Sequence, residues 1–188
     1  MSDPIDKLSI TQSIKVVLIC AALYWSSYWV NQILFSALHF SWAATWVYLP
    51  TGMRLVLVLT CSLCGAIGIS LASMILGLQV HDNLGVNIIM VTAMISGFAP
   101  YLARFIGMKG LGIPDTLEAL KWRDLLQMSF ICSLLNTLMH QFWYLWADLA
   151  GEDWSEQTWV MFTGDFLGSM LLLYFLKWLK QRFKPHSN

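Results

Sequence analysis

The chain has 188 residues, of which 57% are hydrophobic and 12% charged. A soluble domain carries about 25% charged residues. At half that density a water-facing surface cannot be covered, and the mean hydropathy of +0.62 points to an integral membrane protein. Lys and Arg number 11, as do Asp and Glu, which excludes nucleic acid as a partner because phosphate neutralisation needs a basic surface.

Residues 1–15 read as a cytoplasmic N-terminal segment in which Asp3 and Asp6 offset Lys7 and Lys15. The apolar run that follows exceeds a signal-peptide core of about 7–15 residues and lacks a small-residue cleavage site. It therefore reads as a retained membrane helix over 16–38. A crossing needs about 20 residues, so the apolar region 41–80 is too long for one. Pro50, Thr51 and Gly52 interrupt it, and Gly65 and Gly68 mark a second break. This predicts helices over 46–63 and 65–79, with one helix over 55–78 as the alternative. Further helices are expected over 86–106, 125–146 and 159–179, followed by a basic cytoplasmic tail, 180–188. The expected fold is an all-α membrane bundle of six helices (five in the alternative), with 16–179 as its helical domain.

Charge placement favours six. Arg104, Lys109, Lys121 and Arg123 precede the fifth helix, and Lys177, Lys180, Arg182 and Lys184 end the last. The connection between those helices carries Asp148, Glu152, Asp153 and Glu156 with no Lys or Arg. Cytoplasmic connections are enriched in Lys and Arg, so both flanks are placed inside and the acidic connection outside. Six crossings then put both termini in the cytoplasm. Trp42, Trp46, Trp154 and Trp159 fall near the outer boundary, and Trp122 and Trp178 near the inner one, as indoles at membrane interfaces do. The segment 115–124 reads equally as a plain connector or as a short interfacial helix with Leu117, Leu120 and Trp122 towards lipid.

Cys20, Cys61, Cys64 and Cys132 all lie in apolar runs. The C-x-x-C pair lacks a second pair or a nearby His, so these thiols read as small packing groups and no metal or cofactor is expected. Ionisable residues inside a span need a partner or a wet cavity. Arg54 follows the Pro50 break, and Asp165 and His140 fall in the same outer half. A pairing of Arg54 with Asp165 across the bundle is expected, since each offsets the other's desolvation. Asn136 and His140 are four residues apart and share a helix face, with Trp143 nearly on it. That stripe suits an outward-facing ligand pocket or interhelical hydrogen-bond glue. Asn31 and Gln32 add polar groups to the first span. Gly164 and Gly168 flank Asp165 at a spacing that lets a neighbouring helix approach closely. No metalloprotease, nucleophile-elbow or phosphate-loop pattern is present, so catalysis is not expected.

The segments Trp46-Val47-Tyr48-Leu49-Pro50-Thr51-Gly52, Leu120-Lys121-Trp122-Arg123-Asp124-Leu125 and Gly164-Asp165-Phe166-Leu167-Gly168 resemble, in order, motifs of the first class of membrane-associated sensor domains. Those domains are the multi-helix input modules of bacterial histidine kinases and diguanylate cyclases. The resemblance implies a bacterial inner-membrane module that receives signals or binds partner membrane proteins. Arg54 departs from it, standing where the family has an apolar residue. Typical members continue into an output domain, so here the signal is expected to pass to a separate kinase or cyclase. Homo-oligomerisation is left open. The competing expectation is a small-solute-binding membrane subunit of a vitamin-type transporter, by analogy of architecture, and a third is a structural assembly factor with no ligand.

Overall fold

The computed structural model describes residues 9–81, 83–114 and 119–182. Five α-helices account for most of it: α1 (Ile10–Phe35), α2 (Leu49–Val80), α3 (Val86–Gly110), α4 (Trp122–Trp146) and α5 (Trp154–Arg182). A short 3₁₀ turn and a two-stranded hairpin, β1 (His39–Ser41) and β2 (Ala44–Thr45), join α1 to α2. Four helices, α1, α2, α3 and α5, are long and apolar enough to cross a membrane. A capping box starts α1, with Ser9 Oγ accepting from the Gln12 amide and Gln12 Oε1 from the Ser9 amide. Asp124 starts α4 by accepting from the Lys121 amide at 2.8 Å.

The expected division of 41–80 into helices over 46–63 and 65–79 has its counterpart inside α2, which consists of two helical arms joined by a reversal. Ser62 has φ 46 and ψ −124 inside it, a backbone conformation that side-chain-bearing residues seldom adopt. Contacts with α1 reveal the change of direction. Asn31 of α1 meets Leu49 and Tyr24 meets Arg54, so the first arm of α2 runs antiparallel to α1. Beyond Ser62, Gly68 abuts Val17 and Cys20, while Gln79 meets Trp25, so the second arm runs parallel to it. The arms touch directly, since a Cβ on Gly65 would collide with the Leu57 carbonyl. At 1.5 Å per residue a continuous helix of this length would hold its ends almost 50 Å apart. Instead the Trp42 and His81 rings, which flank those ends, have centroids 5.8 Å apart. The break falls at Ser62, three residues before Gly65. Those glycines serve contact rather than interruption: Gly65 lets the arms close and Gly68 admits α1.

The remaining helices alternate in direction. Gly77 of α2 lies against Ile89 of α3, and Gly97 against Ser70 and Ala66. Ser96 of α3 faces His140 of α4, and Gly107 faces Met128. Asn136 of α4 meets Asp165 of α5, and Gln141 meets Met161. One apolar core joins α1 to both arms of α2 through Tyr24, Val58, Ala66 and Ile69. A second joins α2, α3, α4 and α5 through Leu55, Ala103, Met128 and Leu173. Leu120, expected to face lipid, belongs to this second core. The rest of the expected interfacial helix, residues 115–118, lies outside the described residues, as do 1–8 and 183–188.

Candidate functional site

The lead-in to α2 organises the site. Residues 45–48 descend as non-helical chain against α5, with the Tyr48 amide donating to the Gly164 carbonyl at 3.0 Å. A Cβ on Gly164 would strike the Thr45 carbonyl oxygen, and one on Gly168 the Tyr48 carbonyl oxygen. The glycine pair thus accommodates an extended segment, where a helix was expected. The Leu49 amide, first in α2, donates to Asn31 Oδ1 at 2.9 Å. Pro50 supplies no donor at a helix start, where none is needed. Gly52 lets α2 meet α5 at Ser169 and Leu172.

This packing sets Thr51 and Arg54, one turn apart, towards α5 and α4. Thr51 Oγ1 donates to Asp165 Oδ1 at 2.5 Å, and Asn136 Nδ2 donates to Asp165 Oδ2 at 2.6 Å. Arg54 Nη1 donates to Asn136 Oδ1 at 3.0 Å. Its Nε and Nη2 both donate to the Tyr24 hydroxyl, at 3.0 and 2.6 Å. The guanidinium also lies 5.3 Å from the Tyr24 ring centroid and 5.4 Å from that of Tyr48. Arg54 and Asp165 are therefore joined through the Asn136 amide, which accepts on its oxygen and donates from its nitrogen. No direct ion pair links them. Arg54, Asn136 and Asp165 are at most 4% exposed. Burial of these charges is tolerable because every contact is a charge-assisted hydrogen bond.

Above this network lies a cavity of about 520 Å³ lined by Tyr24, Tyr48, Arg54, Asn136, His140 and Asp165, among others. Its volume is that of small-molecule sites in general. His140 Nδ1 is 2.8 Å from the Asn136 carbonyl, to which it donates, leaving Nε2 3.4 Å from the Ser96 hydroxyl. The rim comes from the hairpin and the ends of α1 and α2: His39, Trp42, Trp29 and His81 line it. The Trp42 ring sits 4.9 Å from that of Tyr144 and 5.8 Å from His81. Half-burial pushes the His81 imidazole below the ordinary histidine value. His39 Nε2 lies 3.0 Å from Gln32 Oε1.

Of the residues singled out in the sequence, Arg54, Asp165, Asn136 and His140 converge on this cavity. Trp143 does not line it. Its indole nitrogen donates to Thr92 Oγ1 at 3.2 Å and its ring stacks on Trp146. Pro50, Thr51, Gly52, Gly164 and Gly168 shape the lead-in and the floor. Sequence reasoning missed Tyr24, Tyr48 and Trp42. Tyr24 carried a usable signal: it lies seven residues, two turns, before Asn31 and so on the same face of α1. Among the described residues no group of three metal-binding side chains occurs. No family model, no curated protein and no solved structure matches this chain.

Proposed function

We propose that this chain is a sensory module of the bacterial inner membrane that binds a small solute from the outer side and reports it to a partner protein. The observation that carries this reading is the cavity whose floor is the Arg54–Asn136–Asp165 network. Intramembrane ionisable residues at a cavity mark a functional site by default. Asp165 lies eleven residues beyond Trp154, about 16 Å along α5 and so near mid-bilayer.

In this reading the two arms of α2 are two crossings, the bundle crosses six times, and both ends of the chain are cytoplasmic. The first arm, 49–61, rises only about 20 Å as helix. The non-helical lead-in, at about 3.3 Å per residue, supplies the rest of the thickness. Non-helical backbone at membrane depth is tolerated where protein or a cavity surrounds it, and the hydrogen bonds to Asn31 and Gly164 meet that requirement. A bundle whose lead-in and helix packing respond to an occupant can bias a partner's helices.

The test is copurification of the tagged full chain from its native membrane in gentle detergent, with mass spectrometry of what accompanies it. A histidine kinase, diguanylate cyclase or other signalling protein is the expected companion. Recovery of ATPase and coupling subunits would overturn the sensory reading in favour of a transporter's solute-binding subunit. One observation favours that second reading: a solute cavity beside a helix N-terminus that follows non-helical chain within the membrane is also how transporters are built.

A further inference from the structure

Resting on the reading of the cavity as a solute site, we propose that it takes a small organic anion: a carboxylate carried on a planar aromatic or heteroaromatic body, anchored on Arg54. The two buried charges at the floor are not equivalent. Both oxygens of Asp165 accept short hydrogen bonds, one from Thr51, the third residue of α2. Asp165 therefore sits at the first turn of that helix, where the helix dipole compensates negative charge. Arg54 touches only neutral oxygens, the Tyr24 hydroxyl and the Asn136 amide oxygen. Of the five N–H donors of a guanidinium, three are engaged, one on each nitrogen. One N–H on Nη1 and one on Nη2 carry no acceptor among the described residues. Two such donors, one on each terminal nitrogen, are hydrogen-bonding capacity that a carboxylate supplies acceptors for.

The walls select the rest of the ligand. Tyr24, Tyr28, Trp29, Trp42, Tyr48 and Tyr144 all line the cavity. Aromatic walls of this density favour a flat apolar ring by offset or edge-on contact. The guanidinium itself already lies over the Tyr24 and Tyr48 faces, so those faces are not left for a cationic ligand. The cavity volume accommodates a one- or two-ring acid.

The experiment is calorimetric titration of the purified full chain in mild detergent with three isosteric probes: 2-naphthoate, 2-naphthamide and 2-naphthylmethylammonium. Naphthoate is expected to bind at least tenfold tighter than the amide, with the ammonium weakest. Arg54→Lys, which keeps the charge but loses the fork, is expected to weaken naphthoate at least tenfold and to narrow its advantage over the amide. Trp42→Ala at the rim is expected to weaken naphthoate and the amide alike. Equal binding of naphthoate and amide would overturn the anionic assignment while leaving the cavity a solute site. Tightest binding of the ammonium would overturn it in favour of Asp165 as the anchor. Failure of all three to bind protein that melts cooperatively would overturn both this proposal and the solute-site reading. If Arg54→Lys does not fold, the charge series on the unaltered chain decides alone.

Discussion

Helices α1 and α4 are nearly the same length and do opposite work. α1 has no continuous polar face and buries only Cys20, Ala21, Tyr24 and Asn31. Ile10 and Ile33 are about four-fifths exposed, facing what a bilayer would fill with lipid. α4 buries Ser129, Ser133, Asn136, Thr137, His140 and Gln141 along with Met128, Cys132 and Tyr144, and it is the helix not apolar enough to qualify as a candidate span. In water the more apolar helix would be the buried one. Here the relation inverts, because lipid solvates apolar side chains as well as protein does and leaves polar groups to find partners inside the bundle. In α4 the low hydropathy thus reflects its share of the site, whereas the strongly apolar α2 contributes Thr51 and Arg54 as isolated polar residues.

The contrast can be broken at its strongest point by Asn136→Leu in α4. It leaves Arg54 without its link to Asp165 and Asp165 without one of two donors, and breaking a buried charge network costs about 3–5 kcal/mol. The expected result is loss of cooperative unfolding, or a large fall in midpoint, in SDS titration of the detergent-solubilised chain. Tyr24→Phe comes next: it removes the hydroxyl that accepts two guanidinium hydrogen bonds, at a cost of about 1.5–3 kcal/mol for bonds to a charged group. The same titration reads it, and an unchanged midpoint would mean that another acceptor replaces the hydroxyl.

Ile14→Ala sharpens the other side of the comparison. Ile14 is 55% exposed on α1, and with lipid or detergent on either side of the substitution the stability should move by no more than about 0.5 kcal/mol. Ser133→Ala in α4 is the smallest expected effect. The Ser133 hydroxyl is fully buried and has no hydrogen-bond partner among the described residues, so its removal should be neutral or slightly stabilising. A clear loss of stability there would reveal an ordered water on the seam formed by Ser129, Ser133 and Thr137.

The regions that were legible in the sequence are those where a local rule suffices. A count of about 20 apolar residues located α1, α3 and α5, with ends displaced by up to six residues, because the thickness of a bilayer sets that length directly. The four-residue step from Asn136 to His140 placed both on one face without knowledge of the partner helix. The scarcity of charge singled out Arg54 and Asp165, since few ionisable groups are affordable at that depth.

Other features depended on contacts between segments far apart in the chain. The reversal at Ser62 carries no glycine or proline of its own. It is held in place by packing from Gly65 against Leu57 and by the hydrogen bond from Arg104 Nη1 to Ser62 Oγ at 2.8 Å. The insertion of Asn136 between Arg54 and Asp165 follows from three helices meeting at one depth, which residue spacing along any one helix does not encode. Tyr24 becomes the acceptor for Arg54 because Asn31 pins the start of α2 to α1. Composition and periodicity thus determined that this chain is a bundle of apolar helices with a few costly polar groups. Tertiary structure decided which of those groups share hydrogen bonds, because that depends on the relative height and rotation of helices, and these are set by side-chain packing across the whole bundle.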